Sequence, residues 1–336
     1  MKDTTELKEI LNSLLQIGSS IAIMSHVEPD GDGFAASLAL HYYLLSRGIS
    51  SQIVVDNDDF ERFRFLMEGE PLVQYRQGLS YDLLIVLDCN SYSRLNDRAG
   101  LVGACGYTLL IDHHVPENGV IKADFSFVDT SAASVGAILF RALQAEITAL
   151  PPAELVRIAN CLYISIINDT NNFTNANTNA EVLCIAAELS ASGINPSLLY
   201  KAYFLNHLPL EMRYVGEVLS TIELHSNKQI LYMYSTLEMQ QRNDLKADSV
   251  MNLTRYVQGV KGILIIAYLR EEERNLYKLS LRSPVIDVNA IAASYGGGGH
   301  RSASGANVRG ELSQIKAGLL GKLNQALGQY TGNAAS

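Results

Sequence analysis

The sequence predicts an α/β protein with two domains: an N-terminal, doubly wound, mainly parallel sheet and a smaller C-terminal α+β domain. In the first half, short apolar runs alternate with helical patterns, as in repeated βαβ units. Two of these runs, DLLIVLD at 82–88 and YTLLID at 107–112, are continuously apolar and end in Asp. Such runs are typical of parallel strands that are buried on both faces. The length of 336 residues also predicts about two domains.

The elements of the first domain follow from hydrophobic spacing. Five residues near the N-terminus have the i, i+3, i+4, i+7, i+8 spacing of an amphipathic helix, namely Leu7, Ile10, Leu11, Leu14 and Leu15. Strands are predicted at 21–25, 51–56, 82–88 and 107–112. Helices are predicted near 34–46, 133–145, 154–168 and 179–191. We expect this domain to span 1–192.

The composition changes after residue 192. The segment SGINPS at 192–197 interrupts the pattern, and a helical connector is predicted over 193–225. A second series follows over 226–336, and we expect an active-site cleft between it and the first domain. Its predicted strands lie at 229–235, 262–270 and 277–283, with a glycine run at 296–299 and a final helix near 311–327.

Charge and composition exclude several classes of protein. Lys and Arg number 26 against 35 Asp and Glu, which gives a net charge of −9 and disfavours the binding of long nucleic acid. No stretch of 18 apolar residues is present, and MKDTTELKEI lacks the apolar core of a signal peptide. The four cysteines are scattered without a C-x-x-C motif, which disfavours a disulfide scaffold and a cysteine zinc finger. We therefore expect a cytoplasmic protein without a membrane partner.

Acids and histidines occur where the predicted apolar strands end, which is the edge at which parallel sheets bind ligands. A single Asp at such a point usually caps a helix or a turn, and an isolated Asp-His-His is a weak signal. Four such segments in one domain are a stronger signal of a cation site, because crowded carboxylates repel each other unless cations lie between them. The residues are His26, Asp30 and Asp32 after the first strand, Asp88, Asp112-His113-His114, and Asp169 after CLYISII.

These candidate ligands indicate a metal centre. Four carboxylates and two imidazoles without thiolate favour Mn²⁺, with Mg²⁺, Co²⁺ or Fe²⁺ as alternatives. Two ions about 3.5–4 Å apart that share a carboxylate would stabilise both the attacking and the leaving oxygen of an in-line displacement. The pattern therefore predicts two divalent ions and hydrolysis of a phosphate ester or anhydride.

The C-terminal domain offers candidate phosphate contacts. A glycine run alone is more often a loop, but here it leads into His300 and Arg301. Arg282 and Ser283 end a predicted strand, and arginine binds phosphate in a bidentate manner. Backbone N–H groups of glycines can also bind anions. We expect this domain to anchor a phosphate.

Together these residues resemble a known family. His26, Asp30, Asp32, Asp88, Asp112-His113-His114 and Asp169 resemble the four motifs of the DHH phosphoesterases, and the GGGGH run at 296–300 resembles the DHHA1 domain. The resemblance spans nearly the whole chain and is strongest to the nanoRNase/pAp phosphatase (bifunctional oligoribonuclease) subfamily. It implies removal of 5′-mononucleotides from the 3′ end of RNA of about two to five nucleotides. A second implied activity removes the 3′-phosphate of pAp.

The resemblance also implies roles for individual residues. His26, Asp30 and Asp88 would hold one ion, and Asp32, Asp88, His113 and Asp169 the other. His114 would contact the scissile phosphate, and Asp112 would orient a histidine. The far phosphate or the nucleotide would be bound by Arg282, Ser283, Gly297, Gly298, Gly299, His300 and Arg301.

Other functions stay open at this point. A cyclic-dinucleotide phosphodiesterase acting on c-di-AMP or pApA is the nearest alternative. A family II pyrophosphatase would lack the GGGGH run, and a processive DNA exonuclease would carry further domains. A silent nucleotide sensor would not need all six metal ligands. The oligomeric state is open as well, and a homodimer is the commonest symmetric assembly.

Overall fold

The structure, a computed structural model, describes residues 2–17, 20–56, 60–116, 119–245 and 253–334. The chain forms two compact units, Met1–Asn206 and His207–Ser336. The predicted connector is divided between them, since its first helix belongs to the first unit and its second helix to the second unit. The predicted fold class, a parallel sheet with helices followed by a smaller sheet, is confirmed.

The first unit is built on a six-stranded parallel sheet with the strand order β3-β2-β1-β4-β5-β6. Its strands are β1 (Ile21–Met24), β2 (Ser51–Val55), β3 (Val73–Gln74), β4 (Leu83–Leu87), β5 (Tyr107–Asp112) and β6 (Phe125–Val128). The order reverses between β1 and β4, so the loops after these two neighbouring strands diverge. This switch point is where doubly wound sheets open a crevice for ligands.

Helices cover both faces of this sheet. Alternate residues of each strand enter different apolar clusters, so that Ile23 and Ile85 lie on one face and Met24 and Val86 on the other. The continuous apolar runs seen in the sequence have this origin. The helices are α1 (Thr5–Ile17), α2 (Gly31–Ser46), α3 (Arg64–Met67), α4 (Ala99–Ala104), α5 (Val135–Thr148), α6 (Pro152–Asp169), α7 (Ala180–Ala191) and α8 (Pro196–Phe204). Short 3₁₀ turns occupy Glu61–Phe63, Tyr92–Arg94 and Asn96–Arg98.

The second unit has a mixed sheet with the order β11-β12-β10-β9-β8-β7, in which only β8 and β9 pair in parallel. Its strands are β7 (Glu223–His225), β8 (Ile230–Ser235), β9 (Ile265–Glu273), β10 (Leu276–Arg282), β11 (Gly298–His300) and β12 (Ala303–Arg309). Its helices are α9 (Pro209–Leu219), α10 (Leu237–Arg242), α11 (Asn289–Ala293) and α12 (Leu312–Ala334), with a 3₁₀ turn at Leu253–Tyr256. Side chains of α12 pack on one face of the sheet and those of α9 on the other.

Asp169 was grouped with residues at strand ends, and this grouping requires a correction. The helix predicted near 154–168 is observed as α6, which contains CLYISII, so Asp169 ends a helix and not a strand. Asp169 nevertheless reaches the other candidate ligands, since its carboxylate lies 3.0 Å from the imidazole of His113, which follows β5.

No single helix among the described residues has the length and apolar character needed to cross a membrane. Helices α7 and α8 are long and apolar enough only when they are taken together, and they are bent by 108° relative to each other.

Candidate metal centre

The first group of candidate ligands lies between β1 and α2. Asp30 caps α2, and its Oδ1 accepts hydrogen bonds from the N–H groups of Asp32 at 3.0 Å and Gly33 at 3.3 Å. Aspartate is favoured at this position because it satisfies free amides and faces the positive end of the helix. His26 and Asp32 are buried, with 5% and 0% of their surface exposed. The motif H-x-x-x-D-x-D thus forms a sharp turn from strand to helix that points these groups inward.

Asp88 lies at the centre of the site, directly after β4. Its φ of 57° is left-handed, a strained conformation for a residue with a side chain and one that clusters at functional sites. Its Oδ2 lies 3.5 Å from Nε2 of His26, and its Oδ1 lies 3.5 Å from Nε2 of His113. The two oxygens of this one carboxylate therefore face two different groups of ligands.

The Asp112-His113-His114 segment follows β5 and is organised by Asp112. Oδ1 of Asp112 accepts hydrogen bonds from the N–H of His113 at 2.7 Å and of His114 at 3.1 Å. The same oxygen lies 2.9 Å from Nδ1 of His114, which is also 3.2 Å from Oδ1 of Asp88. Asp112 therefore fixes both the loop and the ring of His114.

His113 faces three carboxylates. Its Nε2 lies 3.0 Å from Oδ2 of Asp169, and 3.5 Å both from Oδ2 of Asp32 and from Oδ1 of Asp88. Asp32 is further bound by the N–H groups of Val135 and Gly136 at the start of α5, and by the Ser165 hydroxyl at 2.5 Å. The buried charge of Asp32 is thus supported from α5 and α6.

The imidazoles are oriented for coordination. Nδ1 of His26 lies 2.7 Å from the carbonyl of Val27, and Nδ1 of His113 lies 3.3 Å from the carbonyl of Ala132. A carbonyl only accepts, so each Nδ1 carries the proton and each Nε2 presents its lone pair in the neutral ring. This arrangement is the usual one for metal-bound histidine.

Buried atoms without hydrogen bonds mark the same place. In the described part of the chain these include Nε2 of His26, Nε2 of His113 and Oδ1 of Asp88. Lone pairs of imidazole and carboxylate face each other there, which is unfavourable unless a proton or a cation lies between them. The residues therefore fit divalent ions in both number and chemistry.

The pKa shifts within the site agree with this interpretation. Burial lowers the pKa of His26, but Asp30 and Asp88 outweigh it and raise the pKa to about 9. Burial likewise opposes protonation of His114, yet Asp112 and Asp88 raise its pKa to about 10. Burial and repulsion by Asp169 and Asp88 hold the pKa of Asp32 well above its usual value. Without a metal the site therefore retains protons, which a divalent cation would displace.

Three overlapping groups of potential ligands occur within the described residues, each with ligand atoms inside 4.8 Å of one another. One is His26, Asp30 and Asp88, and another is Asp32, His113 and Asp169. The third combines Asp88, Asp112, His113 and His114. In that group Oδ1 of Asp112 already accepts two backbone hydrogen bonds, so we assign Asp112 an orienting role.

In the second unit, strand register relates the candidate phosphate contacts. Arg282 and His300 both pair with Ala303, so their side chains lie on the same face of the sheet, about 10 Å apart and two strands from each other. Burial lowers the pKa of Arg282, and one of its N–H groups donates to the carbonyl of Leu281 at 2.8 Å. Arg301 is exposed in the turn between β11 and β12.

Part of the glycine run forms a strand. Gly298 and Gly299 belong to β11, an edge strand that pairs with β12. A Cβ on Gly297 would overlap the Gly305 carbonyl oxygen, so the close approach of these strands requires glycine there. Ser283 has a structural role as well, because its hydroxyl accepts hydrogen bonds from the N–H groups of Val285 and Ile286.

Known proteins share both units of this chain. Residues 20–166 match the DHH family, N-terminal domain, and residues 227–330 match the DHHA1 domain. The bifunctional oligoribonuclease and PAP phosphatase NrnA of Thermus thermophilus is 30% identical over 331 residues, which are 96% of this chain and 94% of that protein. The chain belongs to the DHH/DHHA1 phosphoesterase family.

Solved structures show the same fold for this DHH/DHHA1 protein. An exopolyphosphatase-related protein from Bacteroides fragilis superimposes with a TM-score of 0.84 at 24% identity, covering 98% of this chain and 97% of its own. RecJ of Thermus thermophilus, in complex with Mn²⁺, has a TM-score of 0.52 at 13% identity and covers 96% of this chain and 54% of its own. At these identities the likeness concerns the fold.

Three residues that support the candidate ligands of the DHH site were not predicted from the sequence. Ser165 on α6 donates a hydrogen bond to Asp32, and Asn168 donates one to Asp169. Tyr203 on α8 in turn donates a hydrogen bond to Asn168. None belongs to a motif of acids and histidines, and only the tertiary fold brings them together. The polar serine within the apolar run of α6 was the one available signal.

Proposed function

We propose that this protein is a two-metal phosphodiesterase that removes 5′-mononucleotides from the 3′ end of very short RNA, and that it also removes the 3′-phosphate of pAp. The observation that carries the proposal is the position of Asp88. Its two oxygens face two imidazoles, and each imidazole is accompanied by further carboxylates. A carboxylate shared in this way is what a pair of catalytic divalent ions requires.

His26, Asp30 and Asp88 would hold one ion, and Asp32, Asp88, His113 and Asp169 the other. When bound, the pair would supply Lewis acidity and a nucleophile at neutral pH. His114 would contact the scissile phosphate, because its ring is fixed by Asp112 while 23% of its side chain stays exposed.

Arg282, His300 and Arg301 would bind the end of the substrate that is not cleaved. Arg282 and His300 lie on the same face of the second sheet, and this shared face supports the assignment because the strand register fixes the spacing of the two side chains. The glycines of β11 would allow a nucleotide to approach the backbone closely. We also infer that substrate binding by the second unit limits the length of RNA that this protein accepts.

The choice of substrate rests on the relatives and on charge. Relatives carry the name bifunctional oligoribonuclease and PAP phosphatase, and the match covers most of both chains. The net charge of −9 disfavours a continuous basic channel for long strands. Mn²⁺ is the preferred ion because mixed carboxylate and imidazole ligands suit it, and RecJ, which shares the fold, was solved with Mn²⁺. A cytoplasmic location and a homodimer stay predictions of the sequence.

A substrate panel tests the proposal. End-labelled RNA of two, three and five nucleotides, a strand roughly ten times longer than the dinucleotide, pAp and cyclic di-AMP are each incubated with Mn²⁺. Rapid release of 5′-mononucleotides from the short RNA, with little attack on the long strand, is the expected result. Fast cleavage of cyclic di-AMP with slow turnover of dinucleotides would contradict it.

Two variants distinguish turnover at the candidate metal centre from turnover by a contaminating enzyme. Asp88→Asn keeps the shape of the side chain but removes the shared charge, and it should abolish turnover of every substrate in the panel. Asp129→Asn changes an aspartate that binds Ser131 and Arg141 and lies outside the candidate metal ligands. It should keep turnover, and equal activity of both variants would refute the metal assignment.

A further inference from the structure

Tyr203 connects α8 to the metal centre through one intermediate residue. Its hydroxyl donates to Oδ1 of Asn168 at 2.6 Å, and Nδ2 of Asn168 donates to Oδ1 of Asp169 at 2.8 Å. The second oxygen of Asp169, Oδ2, lies 3.0 Å from Nε2 of His113. One carboxylate oxygen of Asp169 thus binds Asn168, and the other faces the candidate metal ligands.

The direction of these hydrogen bonds follows from their chemistry. A carboxylate only accepts, so the amide of Asn168 must present its NH₂ group to Asp169. Its carbonyl oxygen then faces Tyr203, which must donate. Burial raises the pKa of Tyr203, so its hydroxyl keeps the proton that this bond needs. Tyr203 therefore selects the amide orientation that supports Asp169.

Packing fixes the position of the Tyr203 hydroxyl. The ring stacks on Phe63 with centroids 5.9 Å apart and meets Phe204 edge-on at 4.7 Å. Phe63 is 1% exposed and also packs against Phe34 at 4.7 Å. Aromatic rings held on two sides have little freedom. The hydroxyl therefore occupies a place determined by the core.

Gly31 shows how closely this arrangement fits the first motif. A Cβ on Gly31 would lie 2.5 Å from the Tyr203 oxygen and 2.8 Å from Cβ of Asn168. Both distances are shorter than van der Waals contact, so the residue between Asp30 and Asp32 must be glycine while Tyr203 and Asn168 occupy their places. Tyr203 thus contacts the turn that carries two candidate ligands as well as supporting a third.

We propose that Tyr203 is a positioning residue that orients Asp169 for metal binding through Asn168. This inference rests on the proposed metal centre. It adds a residue from α8, outside the four acid and histidine motifs, to the determinants of metal affinity. Loss of a hydrogen-bond partner behind a metal ligand typically weakens metal binding about 10- to 100-fold.

Tyr203→Phe tests the proposal because it removes the hydroxyl and keeps the ring between Phe63 and Phe204. Mn²⁺ binding is measured by isothermal titration calorimetry and by the electron paramagnetic resonance signal of free Mn²⁺. We expect one of the two Mn²⁺ affinities to fall about 10- to 100-fold, with the melting temperature close to that of the wild type. Activity should return towards the wild-type value at saturating Mn²⁺, with an unchanged KM for the substrate.

Tyr200→Phe is the matched control. Tyr200 lies one turn earlier on α8 and packs against Phe204 at 5.1 Å. The same chemical change there should leave both Mn²⁺ affinities within about twofold of the wild type. An equal loss in Tyr200→Phe and Tyr203→Phe would show a general effect on α8 and overturn the proposal.

A double-mutant cycle tests the route through Asn168. Asn168→Ala keeps the Cβ that packs on Gly31 but removes the amide, so Tyr203→Phe should add little to it. Additive losses, or a Tyr203→Phe affinity within about twofold of the wild type, would overturn the proposal. If wild-type protein bound no Mn²⁺, the proposed function itself would fail. Normal wild-type binding with no effect of Tyr203→Phe would refute only the role of Tyr203.

Discussion

Ser165→Ala should weaken metal binding through Asp32. The Ser165 hydroxyl donates to Oδ1 of Asp32 at 2.5 Å, in the range of hydrogen bonds to an ionised carboxylate. Asp32 is 0% exposed, and burial together with Asp169 and Asp88 already raises its pKa. A hydrogen bond to a charged group contributes about 1.5–3 kcal/mol, which corresponds to about one to two further pKa units.

This shift sets the expected magnitude. Metal binding requires the ionised carboxylate, so each pKa unit added above the working pH costs about tenfold in apparent affinity. Ser165→Ala should therefore bind Mn²⁺ about 10- to 100-fold more weakly near neutral pH. Since the competitor is a proton, the deficit should shrink as the pH rises by about two units.

Calorimetric Mn²⁺ titrations at pH about 6.5 and about 8.5 measure both effects. Ser37→Ala is the matched control, because Ser37 is also fully buried but donates to the neutral carbonyl of Gly33 at 2.7 Å. Ser37→Ala should change Mn²⁺ affinity by less than about twofold at either pH. A Ser165→Ala affinity equal to that of Ser37→Ala, or a deficit that does not depend on pH, would refute the reasoning.

Three further predictions concern stability and substrate binding. Chelation of the metal should lower the melting temperature, since ions at about 100 times their Kd stabilise the folded state by about 2.7 kcal/mol; an unchanged melting temperature in scanning calorimetry would contradict this. Burial raises the pKa of Asp129, but Ser131, the Lys2 amide and Arg141 outweigh it and lower the pKa to about 2. Because the pKa of Asp129 is lower in the folded state than in the unfolded state, its ionised carboxylate adds about 2 kcal/mol to the free energy of unfolding above pH ~4. This stabilisation is lost as the pH falls towards ~2. Acid denaturation of Asp129→Asn should lack this loss, and an unaltered pH profile would contradict the assignment. Arg282→Ala should mainly raise KM, as expected for a contact that binds the substrate equally well in the ground state and the transition state. Arg309→Ala should leave KM unchanged, because Arg309 lies at the end of β12 away from Ala303, the residue that pairs with Arg282. Equal KM values in steady-state kinetics would remove Arg282 from the substrate site.

The sequence predicted the elements whose signal is local. β5 was predicted at its observed bounds, because the segment YTLLID has an apolar centre, ends in Asp and follows a turn. α2 begins at Gly31, three residues before the predicted start at 34, because Asp30 caps it. The strand ends also predicted which acids would converge, since parallel strands present their carboxyl ends at one edge.

Elements without a local signal were missed. β3 and β6 are short edge strands, and half of the four residues of β6 are exposed. The connector over 193–225 was expected to be one helical segment, but it forms α8, α9 and the strand β7, and α9 starts at Pro209. Proline lacks the N–H that a continuous helix would need, which favours a new helix at that point. Tyr203 could not be found from the sequence, because it reaches the site through a tertiary hydrogen bond to Asn168, which lies 35 residues earlier in the chain.

Two ions that share Asp88 are the central feature of the proposed metal centre. Crystals grown with Mn²⁺, measured at a wavelength where manganese scatters anomalously, would locate each ion independently of any assay. We predict two anomalous peaks, one among His26, Asp30 and Asp88 and one among Asp32, Asp88, His113 and Asp169. A single peak, or a peak held by Asp112 and His114, would contradict the two-metal centre.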